Sequence, residues 1–511
     1  MLLIGLVGCS PCDTDETCPE VSVCDEGYVR VDTLRAAAEC TGVLIGTALT
    51  PSPLDTDADY AEIAGTEFNY ITPENAMKWK AVEEVEDEWD FEDADAVVDF
   101  AEAHGQAVKG HVLVWHKLPP WIDENISAED LEAAMSTYIT TMVERYRGRV
   151  FAWDVVNEVF EFTGTYRRSI LYEKLGEDFI ADAFRLAHAA DPDAILLYND
   201  YDIEGVGAKS DAVHAMVSEL LADGVPIHGV GFQTHLNAAT CPSASEVEEN
   251  FHRFGELGIN VNISEMDLRI AKLVLDASGE PDPGNLDARL GTQKVLYHQY
   301  VSACLAEPAC DAITFWGFTD ARTWVDGFFG PDDPLLFDDQ YHKKPAYFGV
   351  RDALVGLPLA ATGGNRIRNP GFEDDTDHWT SWEGSIAASS EQARTGDYSV
   401  RSYDRTADHA GPVQSLLDRL EPGGAYSVSV WARLRNDSGP HTIKTTMRRS
   451  DGSGIHYDRI ATAEVTDSAW TLLEGTWIFE AKLPIESLSF YVEGPPPEVE
   501  YFVDDVRVSA Y

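Results

Sequence analysis

Two glutamates raise the first question. Glu158 ends the run "VFAWDVVNE" and Glu265 lies in "NVNISEMD", each where an apolar stretch gives way to polar residues. A lone carboxylate in such a place is ordinarily a solvated one. Two of them facing each other across a ligand can do acid–base and nucleophilic work. Hydrolysis of a glycosidic bond takes one carboxyl group to protonate the leaving oxygen and a second to attack the anomeric carbon. The two stand about 5–5.5 Å apart when configuration is retained.

Other polar residues occupy comparable places. Glu74, Asn75 and Lys78 follow "EFNYIT", and His111, Trp115 and His116 lie in or just after "AVKGHVLVW". Asn157 precedes Glu158, Asp200 and Tyr201 close and follow "AILLYND", and Gln233 and His235 lie in "GVGFQTH". Asp267 follows Glu265, Trp316 lies in "DAITFWGF", and Trp324 comes soon after. On a regular strand Gln233 and His235 share a face, as do Glu265 with Asp267 and His111 with Trp115, because each pair is an even number apart. A neutral His235 beside Glu265 would donate a hydrogen bond and keep it ionised, with Asp267 orienting the ring. Asn157 and Glu158 are neighbours, so both reach a ligand only where the chain bends or bulges. His111 and His116 are five apart and face opposite ways on a strand, which argues against a metal pair.

The elements that must position these groups are legible. Between residues 43 and 354 eight β-rich runs (43–49, 67–72, 107–115, 150–158, 194–200, 229–235, 260–267 and 311–318) alternate with amphipathic stretches such as "EDLEAAMSTYITTMVERY" and "IADAFRLAHAAD". That order predicts an α/β fold of the (β/α)₈ TIM-barrel type, with active groups gathered where strands end. A doubly wound open sheet is the alternative, but no glycine-rich phosphate turn accompanies it. Residues 355–364 read as a linker. From 365 to 511 the period changes to alternating strands such as "YSVSVWARL", "TIKTTMRR", "LSFYVEG" and "YFVDDVRV", the pattern of an all-β jelly roll or β-sandwich.

Composition narrows the partners. The chain has 511 residues with 44% hydrophobic, enough for a large core, and 37 basic against 89 acidic residues, a net −52. Such a field repels phosphate backbones and other anions, so nucleic acid is not an expected partner, whereas a neutral polysaccharide is not repelled. Acidic tracts such as "EEVEDEWDFEDADA" read as solvated faces. No run reaches the roughly 20 apolar residues of a membrane helix.

The start "MLLIGLVGCSPC" resembles a bacterial lipobox in which Cys9 is lipidated, although no basic residue precedes its short apolar run. Residues 1–33 then form a cysteine-rich acidic leader; disulfides fit it better than zinc, since no His accompanies the cysteines. The localisation expected is extracytoplasmic, secreted or as an outer-surface lipoprotein held to a membrane by the lipid. Cys304 and Cys310 bracket "LAEPA", a good length for a disulfide-closed loop.

The motifs "TPENAMKW", "GHVLVWH", "WDVVNE", "LYNDYDIEG", "GVGFQTHL", "ISEMD" and "ITFWGFTD" resemble, in order and spacing, those of glycoside hydrolase family ten, the endo-1,4-β-xylanases. The resemblance covers residues 34–354. It implies a retaining enzyme acting on xylan and xylo-oligosaccharides without a catalytic cofactor, with Glu158 as acid/base, Glu265 as nucleophile and Asn157 on the 2-hydroxyl. Support from His235 and Asp267 follows. His111 and Gln233 resemble contacts to the sugar before the scissile bond; Glu74, Asn75 and Lys78 resemble contacts one subsite further out. Trp115, Trp316 and Trp324 are walls, Tyr201 a further contact, and Cys304–Cys310 matches a disulfide common in the family. Two departures stand out: "WHKLPPW" is one residue shorter than usual and offers Lys117 where a Gln is usual, and Lys80 stands where an Asp is common.

Residues 365–511, through "NPGFEDDTDHWTSWEG", "GPVQSL", "HYDRIA", "FYVEGP" and "FVDDV", resemble xylan-binding modules of family twenty-two and its near relatives. There Tyr457, Tyr491 and Glu493 match the sugar-binding aromatic pair and carboxylate. A Trp usual in that family is replaced near His409, and an Arg appears as Trp382 or Glu383. Glu373 and Asp505 are the acidic candidates for a structural calcium. A monomer is expected. The same mechanism on cellulose, mixed-linkage glucan or aryl β-glycosides, and a non-catalytic polysaccharide-binding surface protein, are the alternatives.

Overall fold

The computed structural model describes residues 32–39, 41–436 and 439–511. The lipidation candidate Cys9 and the rest of the cysteine-rich start lie outside them.

Eight strands form the first body: β1 (Leu44–Leu49), β2 (Tyr70–Pro73), β3 (Ala107–Val114), β4 (Ala152–Asn157), β5 (Ile195–Asp200), β6 (Gly229–Phe232), β7 (Asn260–Arg269) and β8 (Cys310–Phe315). Each runs parallel to the next, and β8 pairs with β1 through Leu44↔Ala312, so the ring closes with no open edge. The open-sheet alternative is thereby excluded. The strands are buried on both faces, which is why they read as near-continuous apolar runs.

The helices between strands follow from their apolar period. Asp178–Ala190 buries Phe179, Ile180, Ala183, Phe184, Ala187 and Ala190, one stripe of a 3.6-residue repeat, against the barrel. Helix starts carry side-chain caps: Ser127 accepts from the Asp130 N–H, and Ser243 with Glu246 completes a capping box. Cys304, in the long helix Leu286–Ala306, is disulfide-bonded to Cys310, the first residue of β8.

The second body is all β, two five-stranded antiparallel sheets face to face. One has the order β9 (Thr380–Trp382), β12 (Gly411–Ser415), β17 (Ile485–Glu493), β14 (His441–Asp451), β15 (Gly454–Val465). The other has the order β10 (Ser385–Ser389), β11 (Ser399–Tyr403), β18 (Tyr501–Ala510), β13 (Ala425–Leu434), β16 (Thr471–Ile478). Burial alternates strictly along β13, from Tyr426 through Val428, Val430 and Ala432 to Leu434, and these residues join a separate apolar core between the sheets.

The two bodies are in direct contact. Val274–Leu275 pairs in parallel with Ala481–Lys482, and the Leu483 N–H donates to the Leu275 carbonyl at 2.9 Å. Thr292 Oγ1 donates to the Gly423 carbonyl at 2.6 Å, and Ile478 and Leu483 pack on the barrel's own core. Gly423 has φ +85°, and a Cβ there would lie 2.7 Å from Arg289 Cγ and 3.0 Å from Val274 Cγ2. Only glycine meets both demands.

Candidate active site

A cleft of about 920 Å³ opens where the barrel strands end. Glu74, Asn75, Lys78, His111, Trp115, Asn157, Glu158, Tyr201, Gln233, His235, Glu265, Trp316 and Trp324 all line it. Asp267 stands behind His235. Asp200 is elsewhere: it is buried, paired with Lys209 at 2.7 Å, and burial pushes its carboxyl up to about 6.

The adjacency of Asn157 and Glu158 is resolved by a bend. β4 ends at Asn157, and Glu158 takes φ +58°, a left-handed conformation that a non-glycine residue adopts at a cost. Both side chains consequently reach the cleft, and the Asn157 amide donates to Glu158 Oε1 at 3.1 Å. Gln233 and His235 also meet the site, but not by strand alternation. β6 stops at Phe232, and Thr234 between them has φ +63°, unusual for a β-branched residue. The turn is held by the buried Glu204 carboxylate, which accepts from the Thr234 N–H at 2.7 Å.

Side-chain amides link the two glutamates. Gln233 Nε2 donates to Glu158 Oε1 at 3.1 Å and to Asn157 Oδ1 at 3.2 Å. Asn199 Nδ2 donates to Asn157 Oδ1 at 2.9 Å and to Glu265 Oε1 at 2.6 Å, and is itself oriented by the Ser264 hydroxyl. On the other side of Glu265, His235 Nε2 lies 3.2 Å from Oε2 while Nδ1 meets Asp267 Oδ2 at 2.7 Å. Trp324 Nε1 donates to that same Asp267 oxygen at 2.7 Å. His111 Nδ1 is held by buried Asp154 at 2.9 Å, and Lys109 sits 3.2 Å from that carboxylate.

These contacts set the charges. Burial works to lower the His235 imidazole, but Asp267 and then Glu265 outweigh it and push the ring up to about 10. The neutral histidine expected from the sequence is therefore an imidazolium, because it meets two carboxylates at once. For Glu158 burial raises the carboxyl. The Trp115 indole N–H (which has no well-formed hydrogen bond of its own) and Gln233, joined in acid by a protonated His116 whose ring burial holds down to about 4, outweigh burial and hold Glu158 below the ordinary glutamate range. Burial pushes Glu74 up and Lys78 down.

The structure adds residues that sequence reasoning missed. Asn199 is the amide joining the two halves of the site; it pairs in register with Asn157, and a polar inward position in an apolar barrel strand was its signal. His116 was assigned to the far face, yet its Nδ1 lies 3.6 Å from Glu158 Oε2, because β3 ends at Val114 and alternation does not run past a strand's end. Phe162, on a turn, and Phe328 and Phe329, ending the short helix Val325–Phe329, are exposed aromatics that line the cleft, with Phe162 5.6 Å from Tyr201 and Phe328 5.7 Å from Trp324. No local pattern in the sequence marks them.

On the sandwich, Tyr457, Tyr491 and Glu493 lie on the sheet built around β14, opposite Arg448, Thr446 and Lys444 in register. Arg448 sits 5.6 Å from the Trp382 ring and 5.9 Å from the Tyr457 ring. His409 pairs with Glu383 at 3.1 Å. The calcium expected at Glu373 and Asp505 is not supported. Asp505 is paired with Arg394 at 2.6 Å and accepts from Thr395, while Glu373 accepts from the Asp397 and Tyr398 N–H groups. Among the described residues no group of three or more His, Cys, Asp or Glu is arranged to hold a metal ion.

Residues 33–353 match the model of glycosyl hydrolase family 10, and residues 364–498 match that of a carbohydrate binding domain. The chain is 41% identical to endo-1,4-beta-xylanase B of Thermotoga neapolitana over 63% of its own length and 91% of that protein's. It is 36% identical to an endo-1,4-beta-xylanase of Agaricus bisporus, over 65% and 96% of the two lengths. The solved xylanase 10B of Thermotoga petrophila in complex with xylobiose superposes with a TM-score of 0.60 at 40% identity, covering 64% of this chain and 98% of that one. The barrel, its cleft and these matches agree: the chain belongs to glycosyl hydrolase family 10, a glycoside hydrolase of the endo-1,4-β-xylanase type with a carbohydrate-binding domain on its C-terminal side.

Proposed function

We propose that the protein cleaves internal β-1,4 bonds of xylan by a retaining double displacement at Glu158 and Glu265. The observation that carries this reading is the pair itself: two carboxylates from β4 and β7, on opposite sides of the ring, joined through Asn157, Gln233 and Asn199 across one aromatic-walled cleft. Glu265, fixed by the His235 imidazolium and the Asn199 amide, attacks the anomeric carbon. The bond to the leaving oxygen breaks as Glu158 delivers its proton there, and a covalent glycosyl-enzyme forms. Glu158 then takes a proton from water, which attacks the same carbon and frees Glu265.

Glu158 must hold a proton for the first half. A glycan filling the cleft strips further water from its carboxyl, which strengthens the one influence that already raises it. Asn157, anchored by Asn199 and Gln233, would donate to the sugar 2-hydroxyl, and the indoles of Trp115 and Trp316 would cover apolar sugar faces. On the sandwich, the Tyr457 and Tyr491 rings and the Glu493 carboxylate would hold a second stretch of xylan. An extracytoplasmic site of action fits the Cys304–Cys310 disulfide, since such bonds persist in oxidising compartments.

The test is reducing-sugar release from xylan by the wild type, Glu158→Ala and Glu265→Ala, with azide added to each. Loss in both variants, with azide rescuing only Glu158→Ala on an activated aryl xyloside and yielding a β-glycosyl azide, is the expected result. Rescue of Glu265→Ala to an α-glycosyl azide alone would be compatible with the nucleophile role, but rescue of neither on any xyloside, or full activity in either variant, would sink the assignment.

A further inference from the structure

In a chain of net −52, one end of the cleft is lined by cations. Lys78, Lys80 and Lys117 all line it, Lys78 and Lys117 against Trp115 and Lys80 two residues along the chain from Lys78. The Lys78 ammonium lies 4.8 Å from the Trp115 ring centroid and the Lys117 ammonium 4.3 Å from the same centroid. One indole satisfies one cation well; a second brings like-charge repulsion that the ring offsets only in part. Lys78 has Asn75 at 2.9 Å and the nearby charge of Glu74. Lys80 and Lys117 are exposed, and among the described residues neither forms a hydrogen bond or an ion pair. Elsewhere on the barrel the buried Lys109, Lys209 and Lys344, and the half-buried Lys343, are each matched to a carboxylate, whereas Lys174 reaches only the Glu124 carbonyl, so it is the placement of Lys80 and Lys117 in the cleft that sets them apart.

An uncharged polysaccharide gives no reason to leave two ammonium groups unmatched in the cleft of so acidic a protein. A carboxylate on the substrate does. The long-range field of the chain repels such a group, but at physiological salt that field is screened beyond about 8 Å, so contact cations decide the local sign. We infer that Lys80 and Lys117 form, with Lys78, a cationic subsite at the Trp115 end of the cleft that takes a uronic acid side group of the xylan chain. The inference rests on the xylan reading above and goes beyond it by naming the decoration.

The full-length protein is assayed on three oligosaccharides: a linear neutral xylo-oligosaccharide, the same backbone carrying one glucuronic acid branch, and that branched compound with its carboxyl reduced to the alcohol. The readout is the ratio of kcat/KM for the acidic compound to that for its carboxyl-reduced twin. The wild-type ratio is expected to exceed one and to fall as salt is raised. Lys117→Gln and Lys80→Gln should each lower it about two- to fivefold, the range of an exposed ion pair, and the double variant by more. Lys117→Glu should lower it further still. A wild-type ratio of one, or variants that lose the same factor on all three compounds with an altered pH profile, would overturn the subsite while leaving the xylanase reading intact. No cleavage of any of the three by the wild type would overturn both.

Discussion

The barrel mouth and the sandwich face both carry aromatic rings beside carboxylates, yet their rings and polar groups are held differently. At the barrel mouth the polar groups are buried and tied: His111, Asn157, Gln233 and Glu265 are each at most 4% exposed, and each has a named partner. On the sandwich Tyr457 is 60% and Trp382 40% exposed with an arginine near both rings, so the contrast lies in these two rings, since Tyr491 is only 8% exposed and Glu493 accepts from the Thr446 hydroxyl. Bond cleavage rewards groups held in advance where charge will develop, since any reorganisation is added to the barrier. Gripping a polymer needs ring area with some freedom to follow its twist. The contrast teaches that rigidity in this molecule is placed where a transition state must be met.

The comparison breaks most sharply at His235. His235→Ala should cut kcat by about 10²–10³-fold, since it removes the charge that fixes Glu265. Because the folded ring is raised to about 10, the stabilisation it supplies is whole below its ordinary value near 6.5 and is lost as pH climbs through about 10. Wild-type activity and melting temperature should therefore fall together on that alkaline limb, and a melting temperature flat to pH 11 would contradict the clamp. Next in size is Asn199→Ala, expected to lower kcat by about 10- to 100-fold, as loss of a buried hydrogen bond to a charged group does, with KM little moved. If instead KM rises and kcat holds, Asn199 serves binding and the bridge between the glutamates is incidental. On the sandwich, Tyr457→Ala should weaken depletion of the protein onto insoluble xylan about two- to tenfold, the value of one ring contact. A loss as large as those at the barrel mouth would mean the exposed face is also preorganised. Gly423→Ala at the junction leaves activity least changed and is expected to cost about 1–2 kcal/mol of stability, several degrees in Tm. A single shifted transition supports one cooperative body; two separate transitions would divide the regions.

The sequence carried most of the barrel because its strands are apolar on both faces and its helices periodic, so five of the eight runs fall within two residues of the observed strands at both ends, while β2 starts three residues later and β6 and β8 each end three earlier. The glutamate pair was legible for the same reason: a carboxylate that ends such a run has few other places to go. What failed depends on the third dimension. His235 was read as neutral because its partners come from β7 and could be weighed only once both oxygens were in reach. His116 was misplaced by applying strand alternation beyond Val114. Gln233 and His235 reach the site for a different reason than parity, the turn at Thr234. At Glu373 and Asp505 the resemblance to the binding-module family, together with acidity, pointed to calcium, whereas neighbouring N–H groups and Arg394 already use those carboxylates.

The strand pairing of Val274–Leu275 with Ala481–Lys482 bears on how a catalyst and a binding face can share one polymer. A module on a slack tether sweeps a volume and lets its catalyst graze wherever the leash reaches. Here the sheet-to-sheet seam makes the binding face a fixed outrigger. If both faces take glycan at once, the cleft would address only strands lying at one offset and one angle from the strand gripped, which would make the pair a gauge of how neighbouring chains are spaced.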